Sequence, residues 1–137
     1  MAQQVYINLP VKNLETTKAF WSKLGFSFND QFSDEQGACL VISDTIYAML
    51  LTEARYKDFT KKAVADASTT SEVIIALSAE SRERVDELTD NALASGGSPA
   101  GETQDHGFMY GRSFQDPDHH NWEVIWMDMS AAGGDQG

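Results

Sequence analysis

Glu123 stands out as an acidic residue inside an apolar strand pattern. The segment Asn121 to Met127 alternates with the two-residue period of a β-strand. One of its faces carries Trp122, Val124 and Trp126, and the other carries Glu123, Ile125 and Met127. A buried carboxylate needs a charged partner, hydrogen bonds, a metal ion or a solvated cavity, because removing an uncompensated charge from water costs free energy. The pattern therefore leaves two interpretations open: a functional carboxylate, and a glutamate on a solvated sheet face.

The three histidines are the other candidates for metal or acid–base chemistry. His119 and His120 are adjacent, and adjacent residues in extended chain point to opposite faces, so the pair would not easily chelate one ion. We expect His120 to bond the backbone of the turn. His106 lies in a polar segment that is typical of a solvated loop, and it could reach a cavity mouth. The sequence has no nucleophile elbow, phosphate-binding glycine loop or CxxC motif, so the chemistry that depends on these motifs has no support.

Size and composition indicate a small folded protein. A chain of 137 residues, 42% of them apolar, fits one compact domain or two small modules with a shared core. No run approaches the roughly 18 apolar residues that a membrane span needs, and the N-terminus lacks the pattern of a secretory signal. The single cysteine, Cys39, lies in an apolar run and has no partner for an internal disulfide. We therefore expect a buried thiol and a cytoplasmic location.

The net charge of −11 argues against a nucleic-acid partner, because phosphates demand a basic surface. The charge is concentrated in the second half: residues 71–137 hold three basic and thirteen acidic groups. Such a field could attract a cationic ligand, or it could serve only to keep the protein soluble.

The elements that would position these residues occur in the same order in both halves of the chain. Each half reads as a strand, a helix and three strands, which predicts βαβββ modules at residues 1–53 and 72–129. A helical linker is predicted at residues 54–71 and a flexible tail at residues 130–137. The sequence DPD at residues 116–118 has the composition of a tight turn between the last two strands.

Hydrophobic periodicity places the individual elements. The predicted strands are Val5–Leu9, Ser27–Phe32, Ala38–Ser43, Ile46–Thr52, Val73–Leu77, Thr103–Tyr110, Arg112–Gln115 and Asn121–Met127. The predicted helices are Leu14–Leu24, capped by Asn13, then Ala54–Ala67, and a third that starts after Ser81 and stops at Gly96.

Three segments carry a family resemblance: LPVKNLETTKAFWSKLGF, VIIALS and SFQDPDHHNWEVIW. In these the chain resembles the vicinal oxygen chelate superfamily, which includes glyoxalase I, extradiol dioxygenases and bleomycin-resistance proteins. It looks closest to the small proteins labelled predicted lactoylglutathione lyases, and the resemblance covers residues 5 to 128. It implies an α+β fold in which two βαβββ modules form a curled mixed sheet around a cavity. It also implies a homodimer.

In metal-dependent members of this family, four strand positions supply ligands that face the cavity. Matched by motif, these positions fall on Tyr6, Leu50, Ile74 and Glu123. Leu50 and Ile74 cannot donate electrons to a metal and a neutral tyrosine is a poor ligand, whereas a catalytic site normally has at least three protein ligands. The chain therefore resembles the family but lacks its usual metal-ligating residues, and we expect no cofactor. A divalent metal would require an unusual site in which Glu123 is a ligand.

The resemblance also indicates which residues would line the cavity. Glu123 would act there as a general base or hold a cationic ligand, with Arg112 as a residue that could compensate its charge. The remaining expected ligand-binding residues are Tyr6, Asn8, Leu50, Ile74 and Ile125. This lining is apolar with a few convergent polar groups, which is typical of a small-molecule pocket.

Three functions remain open from the sequence. The leading hypothesis is a protein that binds a small organic molecule in a metal-poor cavity. The acidic surface would suit a cationic molecule. The first alternative is a metal-dependent lyase of the lactoylglutathione lyase type or a dioxygenase. The second is an interaction dimer without a ligand. In each case we expect no membrane partner.

Overall fold

The computed structural model describes residues 2–130. These divide into a first unit that ends at Asp66 and a second unit that begins at Ala67. The predicted flexible tail lies outside the described residues apart from Ser130. Within residues 2–130, no helix is both long and apolar enough to cross a membrane.

The first unit follows the predicted βαβββ order. Its elements are β1 (Val5–Val11), α1 (Leu14–Lys23), β2 (Ser27–Asp34), β3 (Gly37–Val41), β4 (Ile46–Thr52), α2 (Glu53–Tyr56) and a 3₁₀ turn (Lys57–Phe59). The sheet order is β1-β4-β3-β2, with β1 and β4 parallel and the other pairs antiparallel. As predicted, Asn13 caps α1: its side-chain oxygen accepts the N–H of Thr16 at 3.1 Å.

The second unit repeats the plan with a more divided set of strands. Its elements are β5 (Ile74–Ser78), α3 (Arg82–Ala94), β6 (Ser98–Pro99), β7 (Gln104–Asp105), β8 (Met109–Gln115) and β9 (Asn121–Met127). The sheet order is β5-β9-β8-β6, and β7 also pairs with β8. The parallel pair β5–β9 corresponds to the pair β1–β4 in the first unit. The α+β class and the two βαβββ modules are thus confirmed, each with its own mixed sheet.

Two predicted elements are wrong in extent. The helix expected at Ala54–Ala67 ends at Tyr56 and continues only as the 3₁₀ turn, because Thr60 is extended and its hydroxyl accepts the N–H of Lys62 at 3.1 Å, a local bond that competes with the helix. The single strand expected at Thr103–Tyr110 is two strands. Gly107, with φ of +82°, reverses the chain between β7 and β8.

Each sheet has an apolar face covered by a helix. In the first unit α1 packs on β3 and β4 and buries Phe20 and Trp21. Cys39 is also buried, as expected, and burial raises the pKa of its thiol. In the second unit α3 packs on β8 and β9, and the fully buried strand residues are Phe114, Trp122 and Val124. The opposite face of β9 carries Glu123 and Ile125, as the alternation predicts.

A buried aspartate organises the turn between β8 and β9. Asp116 is only 4% exposed, and its Oδ1 accepts the N–H groups of Asp118 (2.9 Å) and His120 (3.0 Å). Its Oδ2 accepts the indole N–H of Trp122 at 2.9 Å. His119 between them has φ of +69°, the left-handed conformation that usually favours glycine. Burial raises the pKa of the Asp116 carboxyl, while the charge of His120 and these hydrogen bonds act in the opposite direction.

A row of ion pairs joins α3 to the strands beneath it. Asp86 accepts a 2.6 Å hydrogen bond from the Tyr110 hydroxyl and a 3.0 Å bond from Arg112, which also reaches Asp90 at 2.9 Å. Its bond from Tyr110 is the main reason that the pKa of the Asp86 carboxyl is lowered.

Arg82, at the start of α3, holds the carboxylate of Asp105 in β7 with two hydrogen bonds of 3.0 and 2.9 Å. Those bonds lower the pKa of Asp105 to about 2.

We predict that Asp116→Asn lowers the free energy of unfolding by about 1–3 kcal/mol, because the amide group would face the Trp122 N–H and leave a buried donor unpaired. Urea unfolding measures the difference. Asp44→Asn, a change of the same kind at an exposed turn residue, should stay within about 0.5 kcal/mol of the wild type. An equal loss in both variants would contradict the role of Asp116.

The Arg82–Asp105 pair predicts a pH dependence of stability. An unfolded aspartate has a pKa of about 3.9, whereas Asp105 in the folded protein has a pKa of about 2. Its contribution is therefore present above about pH 5 and is lost as the pH falls toward about 2. We expect the melting temperature of Asp105→Asn to lie below that of the wild type at pH 7, with the gap closing between about pH 5 and 2. A gap that stays constant across this range would contradict the prediction.

Candidate functional site

The open face of the second sheet carries a small cavity beside Glu123. Its volume is about 50 Å³. The residues around it come from β8, β9 and the segment that contains β7: Glu102, Gln104, Met109, Gly111, Arg112, Ser113, Glu123 and Ile125.

The strand register explains why these side chains meet. Ser113 lies directly opposite Glu123, and Gly111 lies opposite Ile125 and Gln104. Residues in register on neighbouring strands share a face, so the side chains of Ser113, Glu123, Ile125 and Gln104 lie on the same face of the sheet. Gly111 keeps the centre of this face open, because a Cβ built there would lie 3.4 Å from Cγ1 of Ile125 and 3.8 Å from Sδ of Met109.

Glu123 is half-buried on this face, and its two cross-strand neighbours are small. It pairs with Ser113 on β8 and with Ala76 on β5. Among the residues of the second unit that the structure describes, none forms a hydrogen bond or ion pair with its carboxylate. Glu102, at the rim, adds a second carboxylate to the lining. The cavity therefore brings two acids, an amide and a hydroxyl together beside the side chains of Met109 and Ile125.

Arg112 directs its charge away from Glu123. It belongs to the residues around the cavity, but its position opposite Val124 puts its side chain on the helix-covered face of the sheet. There its guanidinium binds Asp86 at 3.0 Å and Asp90 at 2.9 Å. The suggested compensation of Glu123 by Arg112 is therefore not what the structure shows.

Two of the predicted residues of the first unit lie on the open face of its sheet. Tyr6 is 52% exposed and stacks on Tyr47, its partner in the β1–β4 register, with ring centroids 5.1 Å apart. Its hydroxyl donates to Gln4, and the Asn8 amide donates to the Tyr6 carbonyl at 3.3 Å. Their roles toward a ligand stay predictions.

The predicted position of Leu50 is wrong. Leu50 is fully buried, and it pairs with Leu9, which is on the face of β1 opposite to Tyr6 and Asn8. The residue of β4 that shares the face of Asn8 is Met49. Because side chains alternate along a strand, an error of one residue in matching β4 moves the site residue into the core.

Ile74 and Ile125 lie on the expected face of the second sheet. Ile125 borders the cavity. Ile74 is 59% exposed and lies two residues before Ala76, the partner of Glu123, so the same face carries both. Ile74 is not among the residues around the cavity, and its role toward a ligand stays a prediction.

Sequence reasoning missed several residues around the cavity: Glu102, Gln104, Met109, Gly111 and Ser113. The hairpin offered a signal for two of them, because counting back from a DPD turn that pairs Gln115 with Asn121 puts Ser113 opposite Glu123 and Gly111 opposite Ile125. No comparable signal existed for Glu102 and Gln104, because β7 is only two residues long.

The donor set of this site does not fit the metal centre that the family resemblance implies. The matched positions Tyr6, Leu50 and Ile74 carry no strong metal donor. In the second unit the cavity offers two carboxylates, those of Glu123 and Glu102, which is fewer than the three protein ligands of a usual catalytic centre. Within residues 2–130, no three His, Cys, Asp or Glu side chains come together in a group that could hold a metal ion. That the protein works without a metal stays a prediction.

Solved structures of the same fold come from several bacteria. A hypothetical protein from S. aureus has 25% sequence identity and a TM-score of 0.77, with 92% of this chain and 94% of that chain covered. A glyoxalase/bleomycin resistance protein/dioxygenase family enzyme from Burkholderia phytofirmans PsJN has 15% identity and a TM-score of 0.75, with coverages of 92% and 99%. The genomically encoded fosfomycin resistance protein FosX from Listeria monocytogenes has 22% identity and a TM-score of 0.65, with coverages of 92% and 91%.

The sequence itself matches a family model, although no curated protein matches it. The model is described as the Glyoxalase/Bleomycin resistance protein/Dioxygenase superfamily and matches residues 3–124. This range covers the first βαβββ module and the second up to Val124 in β9, and it confirms the resemblance seen in the sequence. The chain belongs to the glyoxalase/bleomycin resistance protein/dioxygenase superfamily.

Proposed function

We propose that this protein binds a small organic cation in the cavity beside Glu123, with the Glu123 carboxylate as the counter-ion. The observation that carries the proposal is the charge of the cavity. The side chains that meet there include the carboxylates of Glu123 and Glu102, whereas the guanidinium of the adjacent Arg112 is bound to Asp86 and Asp90. A half-buried carboxylate without a partner in its own unit is favourably neutralised by a cationic group.

The other groups of the cavity suit the same class of ligand. The Ser113 hydroxyl and the Gln104 carbonyl can accept hydrogen bonds from an ammonium or amidinium group. Met109 and Ile125 provide apolar contact for the carbon atoms next to the charge.

The size of the cavity limits what it can hold. Drug-sized ligands occupy pockets of roughly 300–1,000 Å³, and this cavity has about 50 Å³. It therefore takes the charged head group of a ligand, and the rest of the molecule lies outside it.

The names of the related proteins support a small-molecule function, without indicating the charge of the molecule. The family description includes bleomycin resistance proteins, and the Listeria neighbour is a fosfomycin resistance protein. Both names refer to resistance to a small organic compound, and the likeness to the Listeria protein is one of fold alone.

The first prediction tests the charge of the ligand. Benzylamine and benzamidine should raise the melting temperature, whereas their neutral counterparts benzyl alcohol and benzamide should not. In Glu123→Gln the affinity for the cations, measured by calorimetry, should fall about tenfold or more, because the charge-assisted hydrogen bond is lost.

The matched control for this experiment is Glu87→Gln, which removes the same charge from the exposed side of α3. It should bind the cations like the wild type. Gly111→Ala adds a methyl group within ordinary contact of Ile125 and should weaken the binding of benzamidine without unfolding the protein. Equal binding by Glu123→Gln and the wild type would overturn the assignment of Glu123 as the counter-ion. A wild-type protein that binds none of the cations would overturn the proposal.

A second prediction concerns metal content. Because the cavity offers two carboxylates and no third strong ligand joins them within residues 2–130, purified protein should contain far less than one Ni, Zn, Mn or Fe per chain in elemental analysis. A stoichiometric metal that disappears in Glu123→Ala would show instead that Glu123 is a metal ligand. That result would favour the lyase or dioxygenase alternative.

A further inference from the structure

The wall of the cavity that carries Glu102 and Gln104 is held by few backbone bonds. These residues lie in the exposed segment between β6 and β8, where β7 pairs with β8 through two residues only. A ladder this short leaves most of the segment without sheet hydrogen bonds, and such segments open easily. Something other than the sheet must keep Glu102 and Gln104 beside Glu123.

Alternation in β7 gives its two residues different tasks. Gln104 pairs with Gly111 and points to the cavity face, while Asp105 pairs with Tyr110 and points to the face that α3 covers. Asp105 can therefore be held from the helix side while its neighbour lines the cavity.

The holding group is the guanidinium of Arg82 at the start of α3. It donates two hydrogen bonds to Asp105, at 3.0 and 2.9 Å, and a third to the carbonyl of Gly107 at 2.9 Å. It also lies over the rings of Tyr110 and Trp126, 5.0 and 5.2 Å from their centroids. The lowered pKa of Asp105, about 2, has these bonds from Arg82 as its largest cause.

The segment has a second anchor at its other end. The N–H of Gly101 donates to the Ser113 hydroxyl at 2.7 Å, and Ser113 is the cross-strand partner of Glu123. Glu102 and Gln104 therefore lie between a fixed point at Gly101 and the bonds of Arg82.

We propose that Arg82 is a positioning residue that holds the Glu102–Gln104 wall of the cavity in place from the opposite face of the sheet. The planar fork of arginine suits this task, because it binds a carboxylate with two parallel bonds and lies flat on aromatic rings, which a lysine cannot do. The inference rests on the proposed function, since its consequence is the recognition of the cationic head group.

Hydrogen exchange without ligand tests the holding role directly. In Arg82→Lys the amides of His106 and Gly107, which bond to Met109 and Asp105, should exchange about fivefold faster or more, because the segment opens more often. Arg84→Lys, two residues further along α3 and paired with the exposed Glu87, should leave these amides unchanged. Asp105→Asn keeps the size of the side chain and should have the effect of Arg82→Lys.

The affinity for benzylamine provides the second readout. It should fall about threefold or more in Arg82→Lys, with a melting temperature that shows a folded protein, and stay at the wild-type value in Arg84→Lys. Unchanged exchange in Arg82→Lys would overturn the holding role, and faster exchange with unchanged affinity would overturn its consequence for recognition. If the wild-type protein binds no cation, the proposed function fails, and the exchange measurement alone decides whether Arg82 holds the segment.

Discussion

The second unit depends on the hydrogen bonds that the buried carboxylate of Asp116 accepts. Two of them come from backbone N–H groups of the turn and one from the indole of Trp122, so the carboxylate joins the turn to the core beneath α3. A buried N–H group that lost this acceptor would be left unpaired at a cost in free energy, so the three bonds hold the turn in this arrangement against the core. The register of β8 on β9, and with it the position of Ser113 opposite Glu123, follows from that arrangement.

This register sorts the charged groups of the two strands between the two faces of the sheet. Arg112 and Tyr110 fall on the face of α3, where Asp86 satisfies both. Glu123 falls on the open face, separated by the sheet from Arg112, the one arginine of the hairpin. The cavity is therefore acidic for two reasons. Strand alternation puts Glu123 on the open face, and Arg112 forms ion pairs with Asp86 and Asp90 of α3 on the other face. Strand alternation also separates the two residues of β7. Gln104 lines the cavity, and Asp105 points to the opposite face, where Arg82 binds it.

Much of the fold was predictable from the sequence because the signals were local. The alternation of Asn121–Met127, the DPD turn and the Asn13 cap each describe contacts between residues close in the chain, and each prediction is confirmed. The family resemblance was equally local, since it depends on short segments around these elements. Where a local bond competed with the pattern, as at Thr60, the prediction of a long helix was wrong.

The amino-acid sequence by itself determined the strand that carries Glu123, the face on which it lies, and the absence of the family's usual ligands from the matched positions. Only the tertiary structure decided which groups from outside the β8–β9 hairpin accompany Glu123. The burial of Leu50 depends on the pairing of β4 with β1. Arg112 forms its ion pairs with α3 because the helix packs on that face of the sheet. The wall at Gln104 depends on a two-residue strand held by Arg82. These contacts join residues far apart in the chain, so no periodicity or turn motif could reveal them.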